Sequence, residues 1–291
     1  MPRLGIITDE LRNNTERAFD LAEKLHLKEV EIHTAWDKSV EELSDNEVKS
    51  LKDLLHHHNL NLCCLSSTVF LRCHLDDLVE LIPPIKGFRT ISGNYEYHME
   101  ALERCLWITS ELEAPILRIF GFWRSGPTIE ATYQKAMDRI CPAVQLAEKN
   151  GIPLVLENCP HTFFDRSQRA VILLDKINSP WMNMLWDPGN SVLSNELDYL
   201  SSYKSIRHRL AHVHIKDIRI DPESLKGFCY VPIGKGMVDW HQILFKLKHD
   251  SYQGVTCLEP HHLGADGTLE TAAKSSLEGL LRIINQMPNY L

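Results

Sequence analysis

The chain has 291 residues, 44% hydrophobic and 24% charged, the ordinary usage of a globular protein, and a formal net charge of -8 that argues against a nucleic-acid-binding face or an anionic membrane surface. Its eight cysteines include no Cys-x-x-Cys pair and are too few for a disulfide scaffold, which points to a reducing, cytoplasmic setting. No apolar run approaches the roughly 20 residues needed to span a bilayer, and the first ten residues lack the charged-then-apolar pattern of a signal peptide.

Short apolar runs alternate with helical stretches along the whole chain. Residues 4–8 predict a first strand, and 14–26 a helix with Ala18, Leu21, Ala22 and Leu25 on one face. Residues 30–33 predict a second strand with Glu31 and His33 on the same side. Ser44, with Glu47 three residues on, forms a capping box for the next helix, whose apolar positions are Val48, Leu51, Leu54 and Leu55. The triplet His56-His57-His58 reads as a solvated last turn facing the helix dipole, since consecutive helical side chains diverge. Residues 61–65 predict a third strand, and the adjacent Cys63 and Cys64 read as small core residues. The weakly periodic stretch 72–93, with Pro83-Pro84, Gly87 and Gly93, reads as a lid or binding loop.

A helix over 96–112 precedes a fourth strand over 116–120, which carries Arg118 among apolar neighbours. A helix over 131–150 closes on Gly151. The fifth strand, 152–156, ends in Glu157-Asn158, and a helix over 167–177 follows. The sixth, 181–186, ends in Asp187-Pro188-Gly189-Asn190. A helical stretch leads to the seventh, 210–215, where the period of two puts His212, His214 and Lys216 on one face and Val213, Ile215 and Asp217 on the other. An irregular segment with Gly227 and Gly234-Lys235-Gly236 comes next, then a helix over 240–248. The eighth strand, 254–258, ends in Glu259-Pro260-His261-His262, and an amphipathic helix over 268–287 closes the series. Eight strand–helix units in this length predict an α/β fold, a (β/α)8 TIM barrel, as one domain over 1–291. No Gly-x-Gly-x-x-Gly follows the first strand, which argues against a doubly wound sheet.

Glu157, Asp187, His214 and Glu259 each stand where an apolar run stops, on the fifth to eighth strands, so a barrel gathers them at its C-terminal face. Three carboxylates and an imidazole converging there need a positive partner. One divalent metal ion is the expectation. An oxygen-rich set with one histidine and no thiolate suits Mn²⁺ or Mg²⁺, with Co²⁺ or Zn²⁺ as alternatives.

The runs Leu156-Glu157-Asn158, Trp186-Asp187-Pro188-Gly189-Asn190, His212-Val213-His214-Ile215-Lys216-Asp217 and Leu258-Glu259-Pro260 resemble the xylose isomerase-like (β/α)8 barrel superfamily of sugar isomerases, epimerases and inosose dehydratases. The resemblance implies that Glu157, Asp187, His214 and Glu259 hold the metal. It also implies that Glu157 and Glu259 exchange the substrate proton on opposite faces of a cis-enediolate. The implied activity is that of a metal-dependent sugar or polyol isomerase or epimerase, with inosose-type dehydration as the alternative on the same scaffold. Asn190, Lys216, Lys235 and His33 are the expected substrate contacts, and His212 reads as a buried, hydrogen-bonded residue.

Two departures stand out. Ketose 3-epimerases of this superfamily carry a histidine three residues after the metal aspartate, where this chain has Asn190, and Arg219 is out of register with their arginine after the seventh strand. The superfamily also includes endonuclease IV, which uses three zinc ions and further histidines. Here the third and fourth strands end in Ser66-Ser67 and Phe120-Gly121, and with the acidic charge DNA repair is not expected. The intact glutamates argue against a non-catalytic sugar-binding barrel. The expected partner is a small-molecule sugar or polyol, with no nucleic acid and no membrane; a homo-oligomer is common in the superfamily.

Overall fold

The computed structural model describes residues 3–11, 14–76 and 81–287. Eight parallel strands close a barrel: β1 (Arg3–Ile7), β2 (Glu29–Ile32), β3 (Asn61–Ser66), β4 (Leu117–Ile119), β5 (Leu154–Glu157), β6 (Met182–Trp186), β7 (Leu210–Ile215) and β8 (Val255–Leu258). Each pairs with its neighbours in sequence, and β8 returns to β1 with Arg3 opposite Val255 and Ile6 opposite Leu258. Nine α-helices among the described residues complete the (β/α)8 TIM barrel: α1 (Thr15–Lys24), α2 (Asp45–His57), α3 (Tyr95–Glu111), α4 (Glu130–Asn150), α5 (Ser167–Ile177), α6 (Pro188–Leu193), α7 (Tyr199–Ile206), α8 (Trp240–His249) and α9 (Leu269–Gln286).

Helix starts follow from short polar side chains that accept an otherwise orphaned backbone N–H. Asn14, Ser44, Asn94, Asp187, Asp239 and Thr268 all do this, and Ser44 and Glu47 form the expected capping box. Gly151 ends α4 at φ 69°, in the left-handed region.

The alternation of side chains along each strand divides the interior in two. Outward residues such as Val30, Ile32, Leu156, Trp186, Val213 and Ile215 pack beneath the helices in the main apolar core. Inward residues Cys63, Val155, Leu185 and Val255 form a small apolar floor. One or two pleats nearer the C-terminal ends, the same strand faces turn polar, with Glu157 above Val155, Asp187 above Leu185, and Cys257 then Glu259 above Val255. The barrel lumen is therefore a polar network, and the helix-facing shell carries the hydrophobic burial.

Two local features differ from the sequence expectations, and a third lies in a stretch for which none was drawn. The segment after β7 is a β-hairpin, with Asp217–Ile220 antiparallel to Phe228–Val231. Asp217 organises it, because its carboxylate accepts the backbone N–H of Ile218, Gly234, Gly236 and Val238 at 2.9–3.1 Å. His56 and His57 are exposed as expected, but His58 is buried, its Nδ1 3.1 Å from Glu23 Oε2 on α1. As the C-cap of α2 it turns back toward the neighbouring helix rather than to water. A second hairpin, Thr34–Ala35 with Lys38–Ser39, follows β2, and both turn residues, Trp36 and Asp37, take positive φ (48° and 63°). That is the conformation a two-residue hairpin loop favours.

Candidate active site

Glu157, Asp187, His214 and Glu259 meet at the C-terminal end of the barrel. One ligand atom from each lies within 4.8 Å of all the others, and all four residues are buried. His214 Nδ1 is 3.8 Å from Glu157 Oε1, 3.9 Å from Asp187 Oδ2 and 3.4 Å from Glu259 Oε2. Local structure sets each side chain. Glu157 ends β5, and Asp187 is the N-cap of α6, its Oδ1 accepting the N–H of Asn190 at 2.9 Å. Glu259 follows β8, and its N–H donates to Ile215 O at 3.0 Å.

Asn158 braces the strand ends: its Oδ1 accepts the N–H of Asp187 at 2.8 Å and its Nδ2 donates to Asp187 O at 2.9 Å. Asn190, expected to contact substrate, donates from Nδ2 to Glu157 Oε1 at 3.0 Å and to Asn158 O at 2.9 Å. Lys216, also expected to contact substrate, is buried with Nζ 2.6 Å from Asp187 Oδ2 and 2.8 Å from Glu259 Oε2. Gly189 makes room for it, since a Cβ there would press on Lys216 Cγ at 2.7 Å.

A cavity of about 800 Å³ reaches the cluster at Glu259, lined among others by His33, Trp36, Phe88, Arg118, Glu259 and His261. His33 donates from Nδ1 to Ser66 O at 3.0 Å, stacks on Phe88 with centroids 4.4 Å apart, and leaves Nε2 without a hydrogen-bond partner. Phe88 and its neighbours Ile85, Gly87 and Arg89 come from the long connection after β3, read above as a lid or binding loop; its residues 77–80 lie outside the described residues. Lys235 is not brought in. It is exposed between two glycines held by Asp217, and it is not part of the cavity lining. Arg219 is likewise exposed.

The sequence reading missed three contributors. Arg118, 1% exposed, sets Nη1 3.2 Å from Glu157 Oε2 and 4.0 Å from Glu31 Oε1, and donates to Ser66 O and Ser67 O. Glu31, fully buried, accepts from His212 Nε2 at 2.8 Å and from His214 Nε2 at 3.0 and 3.1 Å, and also from the Ser66 hydroxyl. His261 Nε2 is 3.2 Å from Glu259 Oε1. The signal for the first two was present, as a charged residue inside each apolar strand run. His212 is buried and hydrogen-bonded as expected.

The charges oppose one another strongly. Burial raises the pKa of Glu157 against the pull of Arg118, and raises that of Asp187 against Lys216. Burial would raise Glu259 too, but Lys216, His261 and His214 outweigh it and hold it well below the usual range. Burial would depress His214, yet Glu31 and Glu259 hold its pKa well above the usual value. Lys216 is likewise held high by Asp187 and Glu259 despite burial.

Do these residues suit a cation? His214 Nδ1 is buried with no hydrogen-bond partner while it faces three carboxylates. Three oxygens and one nitrogen so arranged fit a divalent ion of the hard-to-borderline type. A second group, Glu31, Cys63, His212 and Cys257, also lies within 4.8 Å. Both oxygens of Glu31 are already committed to histidine N–H groups, so that group reads as a hydrogen-bonded core layer.

Several known proteins are similar to this chain. An inosose dehydratase of Bacillus thuringiensis (strain Al Hakam) is 25% identical over 137 residues, 43% of this chain and 46% of that protein. L-ribulose-5-phosphate 3-epimerase UlaE of Escherichia coli O139:H28 (strain E24377A / ETEC) is 26% identical over 186 residues, 61% of each. The chain thus spans between about half and three fifths of the length of these relatives. The crystal structure of the IOLI protein with a zinc atom superposes with a TM-score of 0.75 at 17% identity, covering 99% of this chain and 100% of that one, and so shares the fold. Residues 19–283 match the family model for the xylose isomerase-like TIM barrel, and the chain belongs to that family.

Proposed function

We propose that the protein is a metal-dependent isomerase or epimerase of a sugar or polyol, acting by removal of a proton next to a carbonyl. The observation that carries this reading is the convergence of two glutamates from different strands on His214 Nδ1, together with Asp187, with Glu259 lining an open cavity. Glu157, Asp187, His214 and Glu259 would hold one divalent ion, Mn²⁺ or Mg²⁺ by their donor set, with Co²⁺ or Zn²⁺ as alternatives. When bound, that ion supplies Lewis-acid polarisation of the substrate carbonyl and its neighbouring hydroxyl.

The remaining chemistry belongs to the side chains. Glu259, held ionised by its cationic neighbours, suits the general base that takes the proton from carbon. The C–H electron pair enters the new C=C bond and the carbonyl oxygen gains the charge, giving an enediolate. Glu157, the second glutamate of the cluster, suits the group that returns a proton from its own side. Asn190 and Arg118 each donate to one oxygen of Glu157 and so fix the orientation of its carboxylate. Phe88 and Trp36 offer flat apolar faces to the C–H side of a ring or chain. His33 Nε2, unpartnered and at the cavity wall, is a hydrogen-bonding group for a substrate hydroxyl, and Lys216 is a cation against a developing oxyanion beside Glu259.

Inosose-type dehydration begins with the same proton removal, and the partial match to an inosose dehydratase supports it as the second reading. The test is a panel of ketoses, aldoses and inososes in D₂O with the purified protein, whose metal content is measured by elemental analysis. Incorporation of deuterium at the carbon next to the carbonyl is expected, with loss of water if the dehydratase reading holds. Glu157→Gln and Glu259→Gln should each lower turnover by about 10²–10⁴-fold while remaining folded. No exchange with any member of the panel, or unchanged turnover in both variants, overturns the assignment.

A further inference from the structure

The geometry points to Glu31 as a positioning residue that decides which proton His214 gives up when it becomes a ligand. This inference rests on the reading that His214, Glu157, Asp187 and Glu259 hold a cation, and it assigns a role to a residue on the opposite side of the barrel. An imidazole can ligate through one ring nitrogen only if that nitrogen has shed its proton, while the other keeps its own. Nothing in the carboxylate cluster itself dictates the choice. Glu31 does.

Its carboxylate accepts hydrogen bonds and cannot donate one while ionised. Both oxygens face His214 Nε2, at 3.0 and 3.1 Å, so that nitrogen must keep its proton. The nitrogen left to lose a proton is Nδ1, the atom that faces Glu157, Asp187 and Glu259 and has no hydrogen-bond partner. The carboxylate is itself held in place. His212 Nε2 binds Oε2 at 2.8 Å, the Ser66 hydroxyl binds Oε1, and Arg118 Nη1 stands 4.0 Å from Oε1. His212 Nδ1 is also without a hydrogen-bond partner, so the same carboxylate selects the same tautomer in both histidines. A fully buried carboxylate 183 residues from its histidine in sequence is costly to keep unless paired. Carboxylate–histidine contacts of this kind orient a metal ligand and raise its basicity.

The chemistry of the amide gives the discriminating variant. In Glu31→Gln one end of the side chain accepts and the other donates. The donating end requires an acceptor at Nε2, and where it faces His214 it moves the ring proton to Nδ1, into the carboxylate cluster. Zn²⁺ is the probe, because it is diamagnetic and its affinity can be read by competition with a chelating dye. Glu31→Gln, folded by circular dichroism, is expected to bind Zn²⁺ roughly 10–100-fold more weakly than wild type. Glu31→Asp, which keeps an accepting carboxylate, should recover part of that loss. In ¹⁵N spectra of the Zn²⁺-loaded wild-type protein, the His214 ring, assigned through His214→Gln, should carry its proton on Nε2 and none on Nδ1. Wild-type Zn²⁺ binding with a proton on Nδ1, or equal affinity in Glu31→Gln, overturns the role of Glu31 and leaves the four-residue site intact. If the wild-type protein takes up no Zn²⁺, the four-residue reading fails and this inference with it. The spectrum of wild type does not depend on Glu31→Gln, so a Glu31→Gln chain that does not fold still leaves the inference refutable.

Discussion

Replacing Arg118 by methionine should reveal how much the buried charges of the lumen depend on one guanidinium. The side chain is 1% exposed, contacts Glu157 at 3.2 Å, lies 4.0 Å from Glu31 and donates to two backbone carbonyls of β3 and the residue after it. Methionine fills comparable space but leaves Glu157 without its cation. Removing one partner of a buried pair costs about 3–5 kcal/mol, because the other charge stays in low dielectric. With about 2.1 cal/mol/K of unfolding entropy per residue over 291 residues, that corresponds to a fall in Tm of roughly 5–8 °C. The assay is urea denaturation followed by tryptophan fluorescence, in excess EDTA so that no metal contributes.

The pH dependence follows in sign. Burial already raises the pKa of Glu157, and loss of Arg118 raises it further. A carboxyl raised in the folded state holds its proton there after the unfolded chain has released it. Its stabilisation is complete below the unfolded value and is lost as pH rises through the folded one. The deficit of Arg118→Met should therefore be larger at pH 8 than at pH 5. In the double variant with Glu157→Gln the orphan charge is gone, and the loss should be smaller than the sum of the two singles. An Arg118→Met protein within about 1 kcal/mol of wild type at pH 8, or strictly additive losses, would refute the account of Arg118 as the counter-charge of Glu157.

Two further changes test the scaffold around the site. Asp217→Asn leaves one accepting oxygen for four backbone N–H groups and turns an amide donor toward some of them. It should cost about 2–4 kcal/mol in urea titrations and speed proteolytic cleavage within 217–238, and unchanged cleavage would count against Asp217 as the organiser of that hairpin. Gly279→Ala should destabilise by about 1–3 kcal/mol, since the added methyl meets the Ile233 carbonyl, a backbone atom that cannot rotate away. If the alanine variant melts higher than wild type, helix propensity has won and the close approach of α9 is not tight.

Much of this was legible in the chain. The strands stand out as short apolar runs, broken on the lumen side by Glu31, Arg118, His212 and His214, and the helices announce themselves by 3.6-residue periodicity and by caps such as Ser44. Glu157, Asp187 and Glu259 could be picked out because each stops an apolar run, and the barrel fold brings strand ends to one rim. Arg118 and Glu31 were visible as charges in apolar strands, yet their significance was not, because their partners lie on other strands. Lys235, expected as a substrate contact, stands at the surface, because Asp217 captures the N–H groups of Gly234 and Gly236 on either side of it.

Strand period and strand order, both local properties, were therefore enough to give the barrel and to name which side chains end up at its mouth. They could not say which atom of His214 faces inward, what sits behind it, or that Lys216 spans Asp187 and Glu259. Those are decided by closure of the barrel, which sets β2 beside β3 and three places round the ring from β7 and forces Glu31, Arg118, His212 and His214 into one desolvated space. In water each of those groups would be satisfied alone. In the lumen they are satisfied only by one another, and that mutual requirement cannot be read from any one stretch of sequence.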